Sequence, residues 1–148
     1  MDFNYELREM NIDDIDSVIK GEEDIFGDSL GFDMLYQELT LNPYAHYFVL
    51  VIEGKVEGYI GTWIEKDHSE LINFYVAKEY QNMGFGSMML DFIIRLVESV
   101  GCKTLSLEVR VSNEKAIRLY ESFGFTKSHT RKEYYSNHED AIVMLLEV

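Results

Sequence analysis

The 148-residue sequence has little of several features that mark particular protein classes. Its one cysteine, Cys102, cannot form an internal disulfide, so no oxidising compartment is required. Neither an HExxH nor a CxxC pattern occurs, and we therefore predict no metal site. No apolar run approaches the roughly 20 residues that span a bilayer, and the N-terminal segment is charged, unlike a signal peptide. We expect a soluble, cytoplasmic protein that binds no membrane.

Positive charge is also scarce, with 13 Lys and Arg against 27 Asp and Glu and a formal net charge of −14. Because a sequence-independent grip on nucleic acid needs clustered basic residues, this balance argues against nucleic acid and favours a basic partner. The chain is 47% hydrophobic with one proline, and it has no repeat or flexible linker. These properties predict a single domain over residues 1–148 with a sizeable core.

What the chain does have is a regular alternation of short strand and helix patterns. We predict strands at 5–8, 47–52, 56–64, 70–76, 104–109, 126–135 and 141–147. Helices are predicted from Asn11 or Asp13 through Ile25, over 34–41 and 87–100, and from Ser112 or Asn113 to about Phe123. A strand-helix-strand order over 70–109 implies a parallel pair. The fold class is therefore mixed α/β.

The helix predicted over 87–100 is amphipathic, because apolar residues recur at helical spacing along it. This stripe consists of Phe85, Met89, Ile93, Leu96 and Val100. A glycine at position 101 is expected to end the helix.

A glycine-containing turn, Gln81-Asn82-Met83-Gly84-Phe85-Gly86, precedes this helix. Glycines there leave main-chain N–H groups free at a helix N-terminus, where a diphosphate is able to bind. A nucleotide P-loop would need a Gly-Lys-Ser/Thr ending, and a dinucleotide fingerprint would need glycine in place of Met89. An ordinary strand-to-helix corner is an equally good interpretation of the turn alone.

Several motifs together resemble the GCN5-related N-acetyltransferases (GNAT family). They are Val76-Ala77, Tyr80-Gln81 with the Gln-x-x-Gly-x-Gly turn, Leu107-Glu108-Val109-Arg110, Ser112-Asn113, Leu119-Tyr120-Glu121, Gly124-Phe125, and the later Arg131 and Tyr134-Tyr135. The second half of the chain is similar to the RimI-type branch, bacterial enzymes that acetylate the N-terminal amine of a ribosomal protein. Phe26-Gly27-Asp28 differs from the Pro-Trp turn usual in that branch, so the 26–46 region diverges.

The resemblance implies acetyl-CoA as co-substrate and a set of site residues. It assigns Glu108 as the base that deprotonates the amine and Tyr120 as the acid that protonates the departing thiolate. It assigns coenzyme binding to Phe74, Tyr75, Val76, Gln81, Asn82, Met83, Gly84, Phe85, Gly86, Ser87 and Asn113. The implied function is acetylation of a protein N-terminus, with a basic ribosomal protein as the expected acceptor.

The same residues also have simpler interpretations. Glu108 lies opposite Leu105 and Leu107 on an alternating strand and would be solvated there. Tyr120 is typical of core packing, and Asn113 of a helix N-cap. Arg131 and the strand tyrosines Tyr134 and Tyr135 are candidates for the border of the acceptor site.

Two other functions fit the sequence. A small amine, such as a polyamine or an aminoglycoside-like compound, would also suit an acidic acetyltransferase. A coenzyme A-binding module without turnover is the non-enzymatic alternative. Because Cys102 has no adjacent histidine, we expect direct attack in a ternary complex rather than an acyl-cysteine intermediate.

Overall fold

The computed structural model describes residues 4–148, and its strands form a seven-stranded sheet. The strands are β1 (Tyr5–Glu9), β2 (Ala45–Ile52), β3 (Lys55–Glu65), β4 (His68–Val76), β5 (Thr104–Arg110), β6 (Thr126–Arg131) and β7 (Ala141–Glu147). The α-helices are α1 (Ile15–Phe26), α2 (Phe32–Thr40), α3 (Phe85–Ser99) and α4 (Glu114–Ser122). Short 3-10 helices lie at Ile12–Asp14 and Lys78–Tyr80. The predicted mixed α/β class is confirmed.

Strand pairing follows the order β1-β2-β3-β4-β5-β7-β6. The β2–β3 hairpin is antiparallel, as the alternating apolar runs around the Glu53-Gly54 turn predict. β4 and β5 pair in parallel, from His68 with Thr104 to Leu71 with Leu107, and the chain between them contains α3. The predicted parallel pair is therefore confirmed.

The described chain divides into two compact units, and the first contains residues 4–63 and 73–93. Its core is a cluster of buried side chains: Met10, Ile15, Val18, Leu35, Tyr47, Val49, Tyr59 and Tyr75. Asn11 caps the first helical turn in a capping box with Asp14. The predicted cap and helix thus occur in the first unit.

Helix α1 passes very close to strand β4 within this unit. A Cβ atom added at Gly21 would lie 1.9 Å from the Tyr75 hydroxyl oxygen, a separation that no real contact reaches. The Tyr75 ring also packs against Phe26 and Tyr59, with centroids 6.4 and 5.2 Å away. The bare main chain of Gly21 is therefore what admits the phenol.

The second unit contains residues 64–72 and 94–148. Its strand β5 alternates between buried and partly exposed residues, with Leu105, Leu107 and Val109 buried. Gly101 and Gly124, at φ +79° and +97°, follow α3 and α4 as the sequence predicts. The expectation of one domain over residues 1–148 stays a prediction.

Two sequence-based expectations were wrong in detail. Val100 lies beyond the end of α3 and is 55% exposed, whereas Val97 is fully buried. The core stripe of α3 therefore repeats every four residues, through Phe85, Met89, Ile93 and Val97. Strand β6 ends at Arg131, so Tyr134 and Tyr135 lie in the connection to β7 and not in a strand.

None of the helices within residues 4–148 combines the length and the apolar character that crossing a bilayer requires. In the same residues, no three His, Cys, Asp or Glu side chains are grouped in a way that could hold a metal ion.

Candidate active site

The end of β4 carries the first set of predicted coenzyme-binding residues, Phe74, Tyr75 and Val76. The Ala77 N–H donates to the Glu57 carbonyl on β3, 2.8 Å away. The side-chain amide of Gln81 donates to the Val76 carbonyl at 2.9 Å and so ties the following turn to the strand. Gln81 therefore has a main-chain partner in the free protein, besides its predicted role towards the coenzyme.

The turn itself takes an unusual backbone conformation at two positions. Asn82 has φ +62° and Gly84 φ +90°, values that favour asparagine and glycine. A Cβ atom added at Gly84 would meet nothing within 4 Å, so open space adjoins the main chain there. This opening fits the close approach of a phosphate group.

Helix α3 begins at Phe85, two residues earlier than predicted, and the Met88 N–H bonds to the Gly84 carbonyl at 3.0 Å. Gly86 and Ser87 therefore belong to the first helical turn, which precedes the regular hydrogen bonds of the helix interior. The Phe85 ring is buried edge-on against Tyr5 and Tyr80, with centroids 5.1 and 6.4 Å away. Its side chain packs in the first unit, and the role of its main chain towards the coenzyme stays a prediction.

Glu108 lies on β5 in the second unit, on the face opposite the buried leucines, as the strand pattern predicts. Its Oε1 is 3.5 Å from the Arg131 Nε, and 21% of its side chain is exposed. A hydrogen bond to Glu108, together with burial, raises the pKa of Tyr134. Burial, followed by the charge of Glu108, also raises the pKa of Glu70 on β4. Glu108 is thus a partly exposed carboxylate with a cationic and a phenolic neighbour.

Tyr120 lies on α4 and is only 7% exposed. Its ring packs edge-on against Phe125, with the centroids 5.7 Å apart. Burial, with a smaller effect from Tyr135, raises the pKa of Tyr120 well above that of a free phenol. The hydroxyl therefore stays protonated at neutral pH and is able to donate a proton, so core packing and acid chemistry are compatible.

Asn113 caps α4, since its Oδ1 accepts the Ala116 N–H at 3.2 Å. The N-cap interpretation is confirmed, and contact with a coenzyme stays a prediction.

The connection between β6 and β7 is held by side chains within the second unit. The Arg110 guanidinium lies 4.1 Å from the centre of the Tyr135 ring, and its Nη1 lies 3.6 Å from Glu139. Burial and the charge of Glu108 raise the pKa of Tyr135 to about 12. Arg131 pairs with Glu108, so this arginine contacts the predicted base, while the border of the acceptor site stays a prediction.

Sequence reasoning missed three buried carboxylates in the first unit, which are Asp14 beside Arg8, Glu22 on α1 and Glu38 on α2. Glu22 is 0% exposed, and Glu38 is 7% exposed. Tyr47 donates to Glu38 at 2.9 Å, and Trp63 also donates to it. A signal for Glu22 was present, because it continues the helical spacing of Ile15 and Val18.

Comparisons with known proteins show the family of the chain. Residues 12–125 match the model of the acetyltransferase (GNAT) family. A protein of Bacillus subtilis (strain 168), provisionally named a [ribosomal protein bS18]-alanine N-acetyltransferase, is 39% identical over 93% of this chain and 92% of its own length. The [ribosomal protein bS18]-alanine N-acetyltransferase of Escherichia coli (strain K12) is 40% identical over 68% of this chain and 70% of its own length.

A solved structure supports the same assignment. The ribosomal-protein-S18-alanine N-acetyltransferase from Escherichia coli superposes with a TM-score of 0.89 and 30% identity, over 98% of this chain and 94% of that one. The family-model match covers residues 12–125, and the Bacillus subtilis relative is 39% identical over 93% of this chain. The chain therefore belongs to the GNAT family of N-acetyltransferases.

Proposed function

We propose that this N-acetyltransferase acts on the N-terminal α-amine of a ribosomal protein, with Glu108 as base and Tyr120 as acid. The observation that carries the proposal is their opposite environments in one unit. Glu108 is a partly exposed carboxylate, whereas burial raises the pKa of the Tyr120 phenol. The carboxylate is a proton acceptor, and the phenol retains at neutral pH the proton that it would supply, although its higher pKa makes it a weaker acid than a free phenol.

The proton balance of the reaction matches these two residues. A free α-amine has a pKa near 8, so at neutral pH a modest fraction is already deprotonated. As the amine nitrogen bonds to the acetyl carbon, Glu108 accepts its proton, directly or through water. The carbon–sulfur bond breaks, and the departing thiolate takes the Tyr120 proton. The acetyl group thus moves directly from thioester to amine.

Acetyl-CoA supplies the activated acetyl group, and this chain has main-chain groups that fit it. We propose that the segment from Gln81 to Ser87 binds the diphosphate through N–H groups at the start of α3. The open space beside Gly84 supports this role. We further propose that the main chain of Phe74, Tyr75 and Val76 binds the pantetheine arm and that one N–H of this segment donates to the thioester carbonyl. Asn113 is proposed as a further coenzyme contact.

A protein acceptor with positive charge suits the second unit. Glu70 and Glu108 present two carboxylates on neighbouring strands, and the net charge of the chain is −14. Such a field attracts a cationic N-terminal segment. We propose that Tyr134 and Tyr135 border the acceptor, since both phenols lie near the proposed base. A hydrogen bond with Glu108, followed by burial, raises the pKa of Tyr134, and burial, followed by the charge of Glu108, raises that of Tyr135.

The test uses three acceptors at matched concentration with isotopically labelled acetyl-CoA. They are the N-terminal peptide of Escherichia coli bS18, the same peptide with a blocked N-terminus, and spermidine. We expect kcat/KM for the free peptide to exceed that for spermidine by at least about tenfold, since substrate choice is a ratio of these constants. The label should lie on the α-amine. Preference for spermidine would show that the natural acceptor is a small amine.

Direct transfer has its own test. The protein is incubated with acetyl-CoA alone and its intact mass is measured after the small molecules are removed. We expect an unmodified mass. A stable acetyl-enzyme that passes its acetyl group to the peptide would overturn direct attack.

A further inference from the structure

The buried carboxylate of Glu22 binds four donors, all of them uncharged. Its Oε1 accepts from the Ser29 hydroxyl at 2.7 Å and from the Leu30 N–H at 3.3 Å. Its Oε2 accepts from the Tyr59 hydroxyl and from the side-chain amide of Asn73. A buried carboxylate needs such donors to offset its desolvation. Glu22 therefore connects α1 to the chain after it and to strands β3 and β4.

The orientation of the Asn73 side-chain amide is set by its two hydrogen-bond partners. Its Nδ2 faces Glu22, and its Oδ1 accepts the N–H of the next residue, Phe74, at 3.0 Å. An ionised carboxylate only accepts hydrogen bonds, and a main-chain N–H only donates them. A flipped amide would therefore place oxygen against oxygen and N–H against N–H. Glu22 fixes which way the Asn73 amide points.

The Phe74 N–H lies on the edge of β4 that faces away from β3. The Ala77 N–H bonds to the Glu57 carbonyl on β3, and N–H groups alternate sides along a strand. Since residue 77 faces β3, residues 74 and 76 direct their N–H groups to the other edge. The partner of the Phe74 N–H there is the Asn73 side chain. The Phe74 N–H, on the edge away from β3, is thus bound by a side chain.

We infer that Glu22 and Asn73 form a positioning pair for the acetyl-transfer reaction. Glu22 fixes the Asn73 amide, and Asn73 holds the Phe74 N–H where the coenzyme-binding segment of β4 begins. The inference rests on the proposed function in one respect, the role given to the main chain of residues 74–76. Because reacting groups must be held to within a fraction of an ångström, loosening this segment should slow transfer more than it weakens binding.

The first unit offers a matched control for loss of a buried carboxylate. Glu38 is also buried and is also bound by uncharged donors, which are Tyr47, Trp63 and Asn42. None of these donors belongs to residues 73–76. Glu38→Gln therefore reports what replacing a buried carboxylate does to stability, and none of the three donors to Glu38 bonds to Asn73 or Phe74.

The experiment compares Asn73→Ala, Glu22→Gln, the double variant and the Glu38→Gln control in the full chain. We expect Asn73→Ala to lower kcat by about tenfold while the Kd for coenzyme A changes by less than about threefold. Such a split marks an interaction that matters in the transition state more than in the ground state. Glu38→Gln should keep kcat within about twofold of the parent protein. The double variant should be no slower than Asn73→Ala, since Glu22 acts through Asn73.

A second readout does not depend on activity. Hydrogen exchange at the Phe74 amide, followed by NMR in the protein without ligand, should be slow in the parent protein and in Glu38→Gln. It should speed up in Asn73→Ala and in Glu22→Gln, because the amide loses its acceptor or that acceptor loses its orientation. The melting temperature of each variant shows whether it is folded.

Three results would overturn the inference. One is Asn73→Ala with a lowered melting temperature and the parent kcat, which marks a purely structural role. Another is an equal loss of kcat in Glu38→Gln, and the third is unchanged Phe74 exchange in Asn73→Ala. Failure of the proposed function looks different, because the parent protein would then not acetylate the peptide while the exchange measurement still tests the pair.

Discussion

The two units treat carboxylates in contrasting ways. In the first unit, Glu22 and Glu38 are buried and bound by hydroxyl, indole and amide donors. In the second unit, Glu108 is partly exposed and lies 3.5 Å from the Arg131 guanidinium. Three or four uncharged donors bind each of these two buried carboxylates, whereas 21% of the Glu108 side chain is exposed. This contrast supports the proposal that Glu108, and not Glu22 or Glu38, acts as the base.

The largest expected effect is a loss of kcat on substitution of Glu108, which tests the difference between the two units. Glu108→Gln keeps the size of the side chain but cannot accept a proton, so kcat should fall by about 10²- to 10⁴-fold, the usual contribution of a general base. Steady-state kinetics with the bS18 peptide measure this loss. A kcat within threefold of the parent value would mean that another group, or solvent, takes the amine proton.

The next effect concerns the acid in the same unit. Tyr120→Phe keeps the ring against Phe125 but removes the proton donor. We expect kcat to fall by roughly 10- to 100-fold, because the thiolate must then take its proton from water. Calorimetric titration should show acetyl-CoA affinity within about twofold of the parent protein. Normal turnover would make the acid assignment wrong.

A smaller effect sharpens the description of the first unit. Glu38→Gln replaces one carboxylate oxygen with an amide NH₂, so at least one of the donors Tyr47, Trp63 and Asn42 loses its acceptor. The free energy of unfolding should fall by about 1–2 kcal/mol, the cost of one poorly satisfied buried group. Urea denaturation measures it. Unchanged stability would show that the donors find other acceptors.

Arg131→Gln should change stability less than Glu38→Gln. Half of the Arg131 side chain is exposed, and its Nε lies 3.5 Å from Glu108, so solvent screens the pair. We expect a loss below about 1 kcal/mol in the same denaturation experiment. A loss as large as that of Glu38→Gln would mean that the second unit also depends on its carboxylate for folding.

Below about pH 10, we expect deprotonation of Tyr120 to have no effect on kcat/KM. Burial raises the pKa of Tyr120, and a raised phenol pKa extends the pH range in which the proton is retained. The profile of kcat/KM against pH should therefore rise as the acceptor amine loses its proton near pH 8 and then stay level. A falling limb below about pH 9, in protein that circular dichroism shows to be folded, would place the acid elsewhere.

The element order followed from the sequence because its patterns are strong and local. Glycine at 101 and 124 and the caps Asn11 and Asn113 marked helix ends that the structure confirms. The same reasoning placed Val100 in the core because the predicted stripe took the three-residue step from Ile93 to Leu96, whereas the buried residue is Val97, four residues after Ile93.

The connection after β6 could not be predicted, because its bonds join residues distant in sequence. Asp140 accepts the Glu133 N–H at 2.9 Å, and Glu139 accepts the Ser112 N–H at 2.8 Å. These side chains replace a strand ladder, although Tyr134 and Tyr135 are typical strand residues. In this connection, tertiary hydrogen bonds therefore override the local preference for a β-strand.

The residues proposed for catalysis could be predicted from sequence motifs, whereas the residues that hold the main chain in place could not. Glu108 and Tyr120 came from the family resemblance, and strand alternation placed Glu108 on the correct face. The link from Glu22 to Asn73 joins positions 51 residues apart, so no local pattern reveals it. A glutamate within the apolar stripe of α1 was the one available sign.

Because Gly21 and Tyr75 are in contact, the substitutions that each of these positions tolerates depend on the other. The phenol occupies the volume that any side chain at position 21 would need, with 1.9 Å left for a Cβ. Descendants or relatives that enlarge residue 21 must therefore shrink residue 75, and each change alone is disfavoured. A comparison of homologous sequences should therefore show larger residues at position 21 together with smaller residues at position 75.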